Sequence, residues 1–156
     1  MTTCAGRITG LQRSAGGVPK LPVERARVHT GGMDGDRQDN RRYHGGPNRA
    51  LCLYSQERLD ALAAEGHPVG RGSLGENVTI AGLPWEMVQI GSRLRLGVVE
   101  VEVTAFAPPC KTIGNAFVGR TFSRVSQVVN PGWSRVYAKI LIEGELSVED
   151  IVRLQP

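Results

Sequence analysis

The sequence predicts a mainly β domain, either a sandwich or a mixed β-barrel, with a few short helices. Two observations carry this. Val99, Val101 and Val103 alternate with Glu100, Glu102 and Thr104, the period of a strand that buries one face. Twenty Gly and nine Pro in 156 residues supply turns for many short strands rather than the long uninterrupted runs of a helical bundle. A chain of this length is expected to form one domain, 1–156, with enough material for a core without disulfide or metal staples.

The elements follow in order. Ile8 to Arg13 and Val23 to Val28 read as two strands joined through Ser14-Ala15-Gly16-Gly17, a hairpin-like connection. Residues 29–49 have no periodicity and read as a long polar loop, a feature that is usually functional in a compact domain. Ala50 to Tyr54 is a short apolar strand. Ser55 can cap a helix running through Glu65, with Leu59, Leu62 and Ala63 on one face and Gly66 as its stop. A flexible glycine-rich stretch, Gly70 to Gly75, leads into a strand over Asn77 to Ile80. Leu94 to Phe106 is strongly β, Gly119 to Val129 reads as a helix stopped by Asn130-Pro131-Gly132, and Val136 to Ile142 and Ile151 to Leu154 are the last strands. No repeat, low-complexity tract or linker interrupts the chain.

Hydrophobic content of 40% and charge of 22% are ordinary for a globular protein. No window approaches a membrane span, and Met1 to Arg7 lacks a hydrophobic signal core, so a cytoplasmic protein is expected. Cys4, Cys52 and Cys110 are too scattered for a disulfide framework, and no Cys-x-x-Cys or His-x-x-x-His spacing offers a structural zinc site. The net charge is +4, and only Lys20, Lys111 and Lys139 of the nineteen basic residues are lysines. Arginine forks bind phosphate or carboxylate bidentately, where lysine acts as a point charge.

Two segments carry more chemistry than turns require. Gly35-Asp36-Arg37 and His44-Gly45-Gly46-Pro47-Asn48-Arg49 gather an acid, an imidazole, guanidiniums and paired glycines. Pro108-Pro109-Cys110-Lys111 holds a thiol on a stiff backbone beside an ammonium that favours thiolate. A thiolate is a soft metal ligand and a sulfur nucleophile, whereas an ordinary cysteine is a small buried hydrophobe. Cys52, between Leu51 and Leu53, reads as core packing, and Cys4 as part of a frayed end. His44 can donate to a phosphate, supply a proton, or brace the loop. Asp36 can orient His44 or an arginine. Arg37, Arg41, Arg42 and Arg49 flank a backbone whose glycines could expose amides as an anion nest.

In order, the chain reads Gly35-Asp36-Arg37, then Tyr43-His44-Gly45-Gly46-Pro47-Asn48-Arg49-Ala50, then Gly75-Glu76-Asn77-Val78-Thr79-Ile80-Ala81-Gly82-Leu83. Ile90-Gly91-Ser92-Arg93-Leu94-Arg95-Leu96-Gly97 and Pro109-Cys110-Lys111 follow. This succession, within a match from about Arg7 to Leu154, resembles the MOSC domain family, whose members form the C-terminal part of molybdenum-cofactor sulfurases. The resemblance implies a barrel of the pyruvate-kinase-insert type. It implies that Cys110 holds molybdenum or sulfur, with His44 as a second catalytic group. Asp36, Arg37, Gly45, Gly46, Arg49, Glu76, Asn77, Lys111 and Arg135 become candidate contacts to molybdopterin and its phosphate. Asn77 suits a pterin edge or a turn equally, and either Arg135 or Tyr137 is expected to face the cavity. Many relatives carry a polar residue shortly before Pro-Cys, where this chain has Ala107-Pro108-Pro109.

The implied function is a stand-alone MOSC protein that binds molybdenum cofactor or carries activated sulfur through Cys110. It would reduce N-hydroxylated small molecules with a partner reductase, or pass on sulfur received from a cysteine desulfurase. No pyridoxal-phosphate domain, second barrel or iron–sulfur domain is visible in this sequence, so sulfur or electrons would come from another protein. The alternative is a small basic β-barrel that binds nucleic acid, in keeping with an isoelectric point near 9.3. Aromatics are only 5%, and Trp85 and Trp133 are not spaced as a stacking platform, so nucleic acid is not the expected partner. A Cys110–His44 hydrolase lacks a visible third partner and an oxyanion motif.

Overall fold

The computed structural model describes residues 4–36 and 46–155. Seven strands close into a mixed barrel: β1 (Cys4–Arg13), β5 (Leu51–Ser55), β6 (Val78–Ala81), β7 (Arg93–Leu96), β8 (Val99–Phe106), β9 (Val136–Ile142) and β11 (Ile151–Leu154). Around the wall the order is β11-β7-β8-β9-β5-β6-β1, and β11 pairs back onto β1 to close it. All of these pairs are antiparallel except β5 with β6, which run parallel. Closure removes sheet edges. β2 (Leu21–Val23) hangs on the end of β1, and β3 (Arg25–His29), β4 (Gly32–Met33) and β10 (Gly144–Ser147) form a small second sheet.

Alternation builds the core. Val99, Val101 and Val103 are buried, as are Leu94 and Leu96 across the ladder, while Glu100 and Glu102 stay partly exposed. Each such Leu contributes about 1.5–3 kcal/mol through burial. β5 is buried on both faces along its whole length, because the barrel interior covers one and α1 (Gln56–Ala64) with neighbouring loops covers the other. Ser55 caps α1, accepting the Arg58 N–H at 3.1 Å, and Gly66 ends the turn at φ +100°.

Several boundaries differ from the sequence reading. The strand expected over residues 23–28 divides at Glu24. β2 stays on β1, whereas β3 crosses to β10, with Arg25 opposite Ser147 and Val28 opposite Gly144. The loop after residue 28 includes β4, with Met33 opposite Val28. Cys4 is not frayed; it pairs with Leu154 in the closing β1–β11 ladder. Ala63 is exposed, so α1 buries Leu59 and Leu62 alone. The helix expected over residues 119–129 is broken into 3-10 turns at Val118–Arg120 and Phe122–Val125, because Gly119 and Arg120 adopt φ +66° and +58° in succession. The glycine-rich stretch is a packed turn. At Gly72, φ is +86° and a Cβ would lie 2.1 Å from the Lys20 carbonyl oxygen, so only glycine fits.

Candidate functional site at one end of the barrel

β5 and β9 run antiparallel and overlap only through Leu51–Leu53 and Val136–Ala138, so their first residues lie side by side, next to the start of β6 and the last residues of β1 and β8. That arrangement gathers residues distant in sequence. Cys52 on β5 stands opposite Tyr137 on β9, which in turn stands opposite Ala105 on β8. Cys52, Tyr137 and Ala107 pack as a small cluster separate from the main core. Two residues beyond Pro108, the chain reaches Cys110 in extended conformation, partly exposed, at the start of a 3-10 turn over Lys111–Ala116. The Cys110 carbonyl accepts the Ile113 amide at 3.1 Å.

The other side of this end is built from the 3-10 turn Pro47–Arg49. Thr104 donates its hydroxyl to the Asn48 carbonyl, which fixes the turn against β8. The Arg49 guanidinium lies 5.2 Å from the centre of the Tyr137 ring, a cation–π distance. Burial pushes the Tyr137 phenol well up; Cys52 and then Cys110 push it the same way, while Arg135 and Arg49 oppose. Cys110, Arg49 and Tyr137 therefore share one neighbourhood. Gly46 stands at φ +92°, and among the described residues nothing lies within 4 Å of where its Cβ would be. Lys111 is exposed beside the cysteine.

Beneath this surface lies a layer of buried polar groups. Lys20 and Asp36 form an ion pair, with the ammonium 2.9 and 2.8 Å from the two carboxylate oxygens; their side chains are 5% and 6% exposed. Asp36 also accepts the Ser14 amide at 3.0 Å. Asn77 stitches strands together: its Oδ1 accepts the Cys52 amide at 3.0 Å, and its Nδ2 donates to the Gln12 carbonyl at 3.3 Å. Glu76 is fully buried, and burial pushes its carboxyl up to about 7 despite the amides of Glu76, Gly72 and Leu74 and the charge of Arg135. Burial likewise pushes the Cys52 thiol up to about 11, with Arg135 and Lys20 pulling the other way.

Arg135 is 5% exposed. Its Nη1 donates to the Leu74 carbonyl at 2.8 Å, and its Nη2 to the Pro108 carbonyl at 3.1 Å and the Ala107 carbonyl at 3.4 Å. These terminal nitrogens are engaged with backbone. Of the sequence-derived candidates, the structure brings Cys110, Lys111 and Arg49 towards the surface of this end. Asp36, Glu76, Asn77 and Arg135 lie below it. Arg37, Arg41, Arg42, His44 and Gly45 lie outside the described residues. Lys20 is the residue that sequence reading missed; its only signal was being one of three lysines in an arginine-rich chain. Neither tryptophan offers a stacking face. Trp85 is buried with its indole N–H on the Ser134 carbonyl at 2.8 Å, and Trp133 has the Arg58 and Arg124 guanidiniums 4.5 and 3.9 Å from its ring centre.

The structure is a closed mixed barrel with a partly exposed cysteine just beyond its strands. The pattern of the MOSC domain matches residues 40–153, and the chain belongs to that family. It is 32% identical to the uncharacterized protein YflK of Bacillus subtilis over 133 residues, 84% of this chain and 59% of that protein. With protein YiiM of Escherichia coli it shares 28% identity over 123 residues, 76% of this chain and 54% of YiiM. The chain thus spans between half and two thirds of the length of these curated relatives. Among solved structures, the YUAD protein of Bacillus subtilis superposes with a TM-score of 0.78 at 16% identity, covering 98% of this chain and 97% of that one. YiiM from Escherichia coli gives 0.68 at 23% identity, covering 96% and 70%. Both show the same fold. Among the described residues, no helix is long and apolar enough to cross a membrane.

Proposed function

We propose that this protein binds molybdenum cofactor at the Cys110 end of the barrel, with the Cys110 sulfur as metal ligand. The observation that carries this reading is the placement of Cys110: a partly exposed thiol outside the strand ladders, next to Lys111 and in the neighbourhood of Arg49. The donor set fits the group. A soft sulfur suits molybdenum, and cations with an open glycine corner at Gly46 suit a phosphorylated pterin. Arg49 and Lys111 would hold the phosphate by charge-assisted hydrogen bonds. Tyr137 and Cys52, both kept uncharged at neutral pH as burial raises their pKa, form a floor that adds no competing negative charge. Bound there, the cofactor would supply the two-electron chemistry that reduces an N-hydroxylated small molecule.

Electrons would come from a reductase partner, and the protein would work in the cytoplasm, where thiols stay reduced. The same exposed sulfur also suits a second role. A cysteine desulfurase could load Cys110 with a persulfide, which the protein would pass to a cofactor or cluster; here the exposed thiol alone is needed. One experiment addresses both. The protein and its Cys110→Ser variant are expressed in a cofactor-producing host, and metal content and intact mass are measured on the same samples. Molybdenum present in wild type and mostly lost in the variant supports metal binding, since a hydroxyl is a harder and far less acidic ligand. A reductant-labile gain of one sulfur atom on the Cys110 peptide, without molybdenum even when cofactor is supplied, overturns it in favour of sulfur transfer.

A further inference from the structure

Among the described residues, three buried side-chain polar atoms have no hydrogen-bond partner: Gln12 Oε1, Glu76 Oε1 and Arg135 Nε. They belong to one region. Gln12 Nε2 donates to the Glu76 carbonyl and to Thr79 Oγ1, both at 3.1 Å, and Thr79 Oγ1 donates to Glu76 Oε2 at 3.4 Å. Arg135 reaches the same turn through the Leu74 carbonyl. Placing a carboxylate and a guanidinium in a protein interior costs several kcal/mol per ion in general, and apolar residues of similar volume often serve stability equally well. Glu76 and Arg135 therefore call for a reason beyond packing.

The backbone before Cys110 supplies one. Pro108 and Pro109 have no N–H groups, so this segment cannot be tethered through its own amides. Ala107 N–H bonds to the Arg135 carbonyl at 2.9 Å, and beyond it only carbonyls are left as handles. Arg135 takes two of these, on Ala107 and Pro108, with the same side chain that holds Leu74. Glu76 shapes the other partner. Gln12 Nε2 and Thr79 Oγ1 hold Glu76 through its carbonyl and its Oε2, and the Gly75 amide closes on the Gly72 carbonyl at 3.1 Å.

We infer that Glu76 and Arg135 are a buried positioning couple that fixes where Cys110 sits. Glu76, held by Gln12 and Thr79, closes the 72–76 turn, and the guanidinium ties that turn to the carbonyls leading into the cysteine. This rests on Cys110 being the functional sulfur and not on which cofactor or cargo it carries. It also gives two residues of the Gly-Glu-Asn and late-strand motifs a task that requires no contact with a ligand. The titratable groups that feel this couple are Cys52 and Tyr54 from β5, which sense both Glu76 and Arg135, and Tyr137 from β9, which senses Arg135.

The test is the rate of Cys110 alkylation by iodoacetamide, read by peptide mapping on the full chain as a function of pH, with Cys52 labelling as the monitor of folding. Arg135→Gln should change the Cys110 rate by about fivefold or more, the factor that loss of roughly one kcal/mol of anchoring produces. Arg135→Lys should recover only part of this, because one ammonium cannot span both loops. Alkylation of any thiol quickens with pH, so the readout is the ratio of the wild-type to the near-isosteric Glu76→Gln rate, which should change as pH passes about 7. If Arg135→Gln exposes Cys52, the two conservative variants decide. Variants that fold and keep the wild-type rate and pH profile within about twofold, a difference of a few tenths of a kcal/mol, overturn the inference. If the variants behave as expected in a protein that binds no molybdenum, the cofactor reading fails and the positioning role stands.

Discussion

Cys52 and Cys110 bear on the same phenol, Tyr137, from two different kinds of backbone. Cys52 lies within β5, its amide and carbonyl both taken by Asn77, its side chain packed against Ala107 and Tyr137. Cys110 lies past a Pro-Pro corner, outside any ladder, partly open to solvent. The first is held by regular structure and is chemically silenced by burial. The second is held by a side chain reaching in from β9's approach, and the residue stays partly exposed. A strand gives a thiol rigidity at the expense of access, whereas an irregular segment keeps access and must obtain rigidity from elsewhere. In this barrel the anchoring comes from Arg135.

The comparison can be broken most decisively by thiol reactivity. With its pKa pushed up to about 11, roughly one Cys52 in ten thousand is thiolate at pH 7. Cys110 should therefore be alkylated far faster in the folded protein, and mapping that finds Cys52 labelled first would remove the distinction. The next largest effect concerns the layer beneath Cys52. Asp36→Ala leaves Lys20 as an uncompensated buried charge and should destabilise the protein by about 3–5 kcal/mol in urea denaturation. By contrast, the Arg7–Glu149 pair has the same chemistry with side chains 54% and 65% exposed, and Arg7→Ala should cost no more than about 1 kcal/mol.

On the exposed side the expected change is in binding rather than folding. Arg49→Ala should weaken cofactor retention by about 1.5–3 kcal/mol, the range for a hydrogen bond to a charged group. Unchanged molybdenum occupancy in the variant would mean that Arg49 serves only Tyr137 and the 47–49 turn. A last effect is a slope. Glu76 has its carboxyl raised from 4.5 to about 7 in the folded state, so the fold holds this proton more tightly than the unfolded chain does. Its contribution is fully present below pH 4.5 and is lost as pH rises through 7. Glu76→Gln should flatten that part of the thermal stability profile, and an unaltered profile would show that other groups set it.

Much of the fold was legible locally. The Val99-x-Val101-x-Val103 alternation, the Ser55 cap and the Gly66 stop each act within a few residues, and each stands in the structure where the pattern placed it. The failures share a cause. Residues 119–129 had a helical pattern, but Gly119 and Arg120 both take positive φ, and Arg120 reaches back to Asn115 and the Lys111 carbonyl. β10 was missed because Gly144–Ser147 is a strand only by virtue of pairing with β3, which comes from the other end of the chain. Cys4 looked like a loose end because nothing near it in sequence reveals that Leu154 will close the barrel there.

For the site, the division follows the range of the forces involved. The sequence alone determined which residue types are present in which order: a cysteine made stiff by two prolines, glycine corners, and an excess of arginine. Those are properties of covalent neighbours. Which charges are spent and which face outwards was decided only by tertiary structure. Lys20 and Asp36 meet across sixteen positions to neutralise one another, and Arg135 turns from a candidate anion binder into a tie on three backbone carbonyls. A charge is committed to a partner by distance in space and by the loss of water around it. Neither is a property of the position of a residue along the chain.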